Sequence, residues 1–358
     1  MNEKQLLIYF LSQFDLAPNK VEEILHCLEG RFTFSALGKL KLDKILTPAM
    51  ANKILSLAEE RYAKVYLENL QALEINLICK YDESFPKKLL GLEDCPFFLF
   101  YKGDISLANQ KSVAIVGTRL PSNYGRMVTE KFSKELARAG AVIISGLAYG
   151  IDSIAHRQAL KENGKTIAVL GSGLNNIYPS DHADLAREIA RKGLLITEYS
   201  PSAKATRYSF PARNRIIAGL SDGVLITEAG IKSGTLYTRD YALDYGKEMF
   251  AVPGNIDSDK SSLPNEIICT GQGMGVREAK DILNALHIEQ SVSKEPKKVL
   301  QLSIEEQAIY SQLENGAKSL EELEKNCNLS INDLNSCLTM LEIRGIISRM
   351  PGGVFCLS

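Results

Sequence analysis

A chain of 358 residues with 45% hydrophobic side chains has room for about two or three domains, each with a packed core. Its 42 Lys and Arg against 43 Asp and Glu leave a net charge of −1, so there is no general basic field and any polyanion site must be local. The apolar run Leu6 to Leu11 is too short to span a bilayer and no small-residue cleavage site follows a basic start, so a cytoplasmic chain without membrane association is expected.

Seven scattered cysteines lack a paired short spacing, which suggests neither a zinc site nor a disulfide framework. Residues 1 to 75 read as a small domain of amphipathic helices, with Ile24, Leu25, Leu28, Leu37, Leu40 and Ile45 at apolar positions. From Tyr81 to Gly103 an extended segment is expected to pack onto the next domain. Strand and helix patterns then alternate from about Ser112 to Leu286, which predicts a doubly wound, mostly parallel α/β domain over 76 to 287, lead-in included. Residues 288 to 300 have linker composition. The final unit, 301 to 358, reads as three helices and a hairpin, the order of a winged helix; Ser319 with Glu322 forms a capping-box signal and Ser330 with Asp333 a similar start. It carries Lys318, Lys325, Arg344 and Arg349 against eight acidic residues, the wrong sign for phosphate-dominated DNA binding, so a protein-contact or regulatory role is expected.

Within the α/β region, turns rich in Gly, Ser, Thr, Arg and Asn directly follow apolar strands. In crossover units such turns share one crevice at the carboxyl ends of the strands, where ligands bind. Gly117-Thr118-Arg119 offers open amides beside a guanidinium, which suits phosphate, although an ordinary strand-to-helix turn has the same composition. In Ser145-Gly146-Leu147-Ala148-Tyr149-Gly150-Ile151-Asp152 two glycines permit close approach to the main chain before a helix start. Asp152 and His156 are expected to pair at the start of that helix; a hydrolytic triad with Ser145 is disfavoured because no Gly-x-Ser-x-Gly elbow is present. Gly171-Ser172-Gly173 is a weak dinucleotide match, since Asn176 replaces the third glycine. Gly164-Lys165-Thr166 mimics a P-loop end, but Ala159 stands at the first glycine and a strand follows.

From Tyr199 to Ser221 there are four cations, Lys204, Arg207, Arg213 and Arg215, and no acid. The string Phe210-Pro211-Ala212-Arg213-Asn214-Arg215 joins a ring, two guanidinium groups and an amide, the combination that holds unpaired nucleic acid by phosphate contacts and base stacking. The competing reading places Phe210 in the core and pairs the arginines with Glu198 and Glu228. Ser233-Gly234-Thr235 opens a further helix, either as a phosphate nest or as a plain cap. Several such turns on one sheet edge suit a chain of phosphates better than a single one.

At these strings, continuously from about Lys80 to Gly275, the chain closely resembles the DNA processing protein A family, DprA or Smf. The resemblance implies a Rossmann-like domain that binds single-stranded DNA, flanked by an N-terminal SAM-like or helix-hairpin-helix domain and a C-terminal winged helix. It further implies a homodimer that protects incoming DNA and helps load the RecA recombinase onto strands covered by single-strand binding protein, in natural transformation and recombination. No cofactor and no catalytic activity are implied. The DNA-binding residues carried over are Gly117, Thr118, Arg119, Ser145, Gly146, Gly171, Ser172, Arg207, Phe210, Arg213, Asn214, Arg215, Ser233, Gly234 and Thr235, with Phe210 as the stacking ring. Gly271 to Gly275 departs from the family's usual Gly-Ala, which weakens inference about the closing segment, where dimer contacts would lie. The rival reading is a Rossmann-like nucleoside monophosphate phosphoribohydrolase, whose Gly-Gly-x-Gly-Thr-x-x-Glu motif is kept here only as Gly234-Thr235; Thr238 replaces the carboxylate, the main acid or base. A double-stranded DNA regulator acting through the winged helix is disfavoured by that unit's acidity.

Overall fold

The computed structural model describes residues 2–289, 302–313, 316–327, 329–350 and 353–357. These form two compact units, Met1–Val292 and Ser293–Ser358.

The first unit opens with helices α1 (Glu3–Leu11), α2 (Pro18–Cys27), α3 (Phe34–Leu37), α4 (Pro48–Ser56) and α5 (Glu60–Ala72). Their apolar faces meet in a core around Leu7, Phe10, Ile24, Leu37 and Ile54 that continues into Cys79, Phe97 and Phe98 of the lead-in. Polar contacts tie the same helices to the rest of the unit: Tyr9 donates its hydroxyl to Asp82 at 2.6 Å, and Ser200 donates its amide to Asp15 at 2.6 Å. The lead-in is more than a packing segment. It supplies β1 (Asn76–Cys79), the short α6 (Lys87–Leu90) and β2 (Phe98–Gly103), and both strands join the main sheet.

The alternating region follows as β3 (Ser112–Val116), α7 (Asn123–Arg138), β4 (Val142–Ser145), α8 (Ile151–Lys161), β5 (Thr166–Val169), α9 (Ala183–Lys192), β6 (Leu194–Thr197), α10 (Ser209–Leu220), β7 (Gly223–Ile226), α11 (Thr235–Asp244), β8 (Glu248–Ala251), α12 (Ser262–Cys269), β9 (Met274–Gly275) and α13 (Ala279–Ala285). The sheet order is β1-β2-β6-β5-β4-β3-β7-β8-β9. β1–β2 and β2–β6 are antiparallel, and the remaining pairs are parallel. Helices cover both faces, so β3 to β7 are buried on both sides and read as continuous apolar runs rather than alternating ones. From β3 the chain winds one way through β4, β5 and β6, then returns to the other side of β3 with β7. The loops after β3 and β7 therefore flank the point where strand order reverses, the usual ligand crevice of an open α/β sheet.

The second unit holds α14 (Ile304–Leu313), β10 (Lys318–Ser319), α15 (Leu320–Cys327), α16 (Ile331–Ile343), β11 (Ile347–Met350) and β12 (Val354–Leu357), with strand order β10-β12-β11. Ser319 and Glu322 exchange hydrogen bonds at 2.8 and 3.3 Å, and the Ser330 hydroxyl accepts from the Asp333 amide at 3.2 Å, as the start signals predict. The short β10 was not expected; two residues carry no periodicity. Of the expected linker, residues 290 to 300 lie outside the described residues, as do Glu314 and the Pro351-Gly352 turn.

Candidate nucleic-acid interface

A cleft of about 590 Å³ opens at the switch point. Its two sides are bound together through Glu228. The Thr118 amide donates to the Glu228 carbonyl at 2.7 Å, and Ser122 donates its amide and hydroxyl to the buried Glu228 carboxylate at 2.8 and 2.5 Å. Gly150 lets the loop after β4 close onto the same turn: its φ is +75°, and a Cβ there would sit 2.4 Å from the Thr118 carbonyl oxygen. Only glycine fits that conformation and that approach.

Arg213 forms the floor. It is 4% exposed, and its Nη1 donates to the Gly146 carbonyl at 2.6 Å and also to the Val169 carbonyl, joining the loops after β4 and β5. Burial lowers its pKa to about 10, so it remains cationic at neutral pH. Beside it lies Asp152, 6% exposed, whose carboxylate accepts from the Gly146 amide at 3.1 Å and the Ala148 amide at 3.4 Å. Burial pushes the Asp152 carboxyl up, while Arg213 and those amides pull it down.

The outer parts of the cleft are more open. Arg119 is exposed, with its guanidinium carbon 5.7 Å from the centre of the Phe210 ring. Arg207 is exposed against the Tyr208 ring at 4.6 Å. Phe210 is half-buried, neither a core residue nor a free ring. On the opposite side no side chain caps the N-terminus of α11, so the first amides of a helix flank the cleft at Gly234 and Thr235. The buried Ser233 Oγ has no hydrogen-bond partner among the described residues. Asn214 donates to the Gly234 carbonyl at 3.3 Å, linking α10 to this turn. Open amides, a free hydroxyl and guanidinium groups around one space suit an anion.

The cleft thus gathers Gly117, Thr118, Arg119, Arg207, Phe210, Arg213, Asn214, Ser233, Gly234 and Thr235 from the turn after β3, the approach to and first turns of α10, and the start of α11. It does not gather every residue expected. Ser145 is fully buried and its hydroxyl donates to the Ile115 carbonyl at 2.7 Å. Gly146 lies in a narrow side crevice, with its carbonyl taken by Arg213. Gly171 backs the Phe210 ring, where a Cβ would come within 3.0 Å of it, and Ser172 is buried. Arg215 faces away and bonds Glu198 at 2.5 Å, with Asp94 at 3.5 Å. Residues two positions apart on a helix differ by about 200°, so Arg213 and Arg215 cannot share a face.

Asp152 and His156 do not pair. The His156 Nδ1 lies 2.7 Å from the Thr166 hydroxyl, which itself donates to the Ile143 carbonyl, so the imidazole is the donor. Among the described residues no arginine pairs with Glu228, whose carboxylate holds Ser122 instead. Ala148, Tyr149 and Pro211 fall inside the strings expected to carry DNA, whereas Asp152, Ile217 and Thr238 in the cleft and Tyr178 beside the side crevice were missed as contacts. For Tyr178 a signal existed in its place after a glycine turn; Asp152, Ile217 and Thr238 needed the fold.

A doubly wound sheet with a donor-rich cleft at its switch point, an N-terminal helical domain and a C-terminal winged helix defines the class: a Rossmann-like, multidomain α/β protein. The chain belongs to the DNA processing protein A family. Residues 76–287 match the family model for DNA recombination-mediator protein A, and residues 293–353 match the DprA winged helix domain. The DNA processing protein DprA of Bacillus subtilis (strain 168) is 37% identical over 257 residues, 71% of this chain and 85% of that protein. The X-ray structure of DprA from Streptococcus pneumoniae is 32% identical with a TM-score of 0.68, covering 79% of this chain and 98% of that one. DNA processing protein A from Helicobacter pylori, whose structure concerns its single-stranded DNA binding mode, is 35% identical with a TM-score of 0.55, covering 60% and 96%.

Proposed function

We propose that this protein binds single-stranded DNA along the switch-point cleft and leaves its covalent bonds intact. The observation that carries this reading is convergence. Ten residues picked from three separate segments of the chain line one space, where guanidinium groups and open amides accompany an aromatic ring. Phosphates would lie against Thr118, Arg119, Asn214 and Ser233 to Thr235, with Arg207 as an outer cation and Phe210 offering a surface to an unpaired base. The single-stranded DNA binding of the Helicobacter pylori relative supports single-stranded DNA as the ligand. In this role the protein is a cytoplasmic, homodimeric recombination mediator that protects incoming strands and passes them to a RecA recombinase in the presence of single-strand binding protein.

The hydrolase reading is weaker because Thr238 occupies the position of the needed carboxylate and Asp152 is tied by two amides. A double-stranded DNA role for the winged unit is weaker because α16 carries Asp333 and Glu342 and no Lys or Arg. Titration of the purified protein with single- and double-stranded oligonucleotides across a salt series, alongside a nucleotide-hydrolysis assay, separates the three. Preference for the single strand with a steep salt dependence and no hydrolysis supports the proposal; turnover of a nucleotide, or preference for duplex, defeats it.

A further inference from the structure

Beyond Phe210, a narrow crevice continues from the cleft past Arg119 and Arg213 to Tyr178 and Tyr149. Part of the Phe210 ring is covered by its neighbours. The Arg119 guanidinium stands over it, Gly171 presses on one edge, and Tyr178 leans on it with ring centres 5.3 Å apart at 47°. The ring that faces outward is Tyr178, which is 48% exposed. Tyr149 is 42% exposed and yet fixed: its hydroxyl donates to Asp181 at 2.9 Å and its ring meets His182 edge-on at 5.0 Å. His182 is held in turn, its Nδ1 lying 2.8 Å from the Leu147 carbonyl. Large exposed rings whose orientation is already set lose little entropy when a flat partner lands on them. Every base has a π-face, so such rings accept any sequence.

We propose that Tyr178 and Tyr149 continue the binding surface beyond Phe210 as a base-stacking track, which takes the nucleotides that follow those held by the phosphate-binding turns. This rests on the single-stranded DNA reading of the cleft and adds a direction to it. The strand leaves past the loop after β5, away from Ser233 to Thr235. Phe210 supports the Tyr178 ring from beneath, and Asp181, which would otherwise repel a polyanion, holds Tyr149 in place.

The test compares a labelled oligothymidylate with an abasic oligonucleotide of the same length, which keeps the phosphates and lacks the bases. Tyr178→Ala and Tyr149→Ala should each weaken oligothymidylate binding about 5- to 150-fold, the worth of one stacked base, and leave abasic binding unchanged. Tyr178→Phe keeps the ring and should bind as the parent does, which also guards against misfolded Ala variants; Tyr149→Phe keeps the ring but releases it from Asp181, and should bind oligothymidylate between the parent and Tyr149→Ala. Arg119→Ala should weaken both ligands. Equal losses on both ligands for the tyrosine variants, or no loss on either, overturn the track while leaving the cleft reading intact. A parent protein that binds neither ligand overturns the cleft reading itself.

Discussion

The Arg213 guanidinium donates to the Gly146 carbonyl at 2.6 Å, so a cation that local sequence assigns to ligand is in fact part of the cleft's frame. Its second bond, to the Val169 carbonyl, spans the loops after β4 and β5. The charge still faces the cleft, and the side chain serves structure and field together.

Arg119 and Arg213 should accordingly behave differently. Arg119→Ala, at an exposed position, should leave stability unchanged, weaken single-strand binding for all sequences and lower the salt slope by about 1. Arg213→Ala should in addition destabilise the fold by about 3 to 5 kcal/mol, because it removes two carbonyl bonds and leaves Asp152 buried without its cation. Urea unfolding beside salt-dependent titration checks both; an Arg213→Ala protein as stable as the parent refutes the framing role.

Arg215 gives the converse case. Its partner Glu198 is largely buried, with burial pushing the carboxyl up against the pull of Arg215. Arg215→Ala should cost about 3 to 5 kcal/mol of stability and leave the salt slope of DNA binding as it was. A reduced slope in a folded variant would return Arg215 to the binding surface.

Phe210→Ala should weaken single-strand binding by about 1 to 3 kcal/mol. The protein should remain folded, since the ring is half-buried and outside the main core clusters. Equilibrium titration and a thermal melt of the same sample decide this; global unfolding would make Phe210 a core residue.

His156 predicts a pH dependence. Burial, with Arg213 and His182 adding repulsion, lowers its pKa to about 3 from an ordinary 6.5. The unfolded chain therefore takes up a proton below about pH 6.5 that the folded chain refuses, and stability present above that pH is lost as pH falls toward about 3. The slope should approach about 1.4 kcal/mol per unit between about pH 6 and 4.5, before most carboxylates titrate. Urea midpoints across that window measure it, and His156→Gln, whose amide can still donate to Thr166, should remove this part of the slope. A His156→Gln protein with the parent's slope would place the proton uptake elsewhere.

Much of this molecule was legible in its residues. Continuous apolar runs such as Val113 to Val116 and Val224 to Ile226 announce strands buried on both faces, and the turn residues after them announce a donor-rich sheet edge, because strand burial and open amides follow from local composition. Only the tertiary structure decided which side chains reach the shared space. Arg213 and Arg215 look alike in sequence, yet helical pitch sends one to the cleft floor and the other to Glu198; Ser145 satisfies its hydroxyl on a neighbouring strand, and Tyr178 gains its place from the packing of Phe210. Partners for a buried polar group come from segments far apart in the chain, and burial is set by every layer around it, so neither can be read from a motif alone.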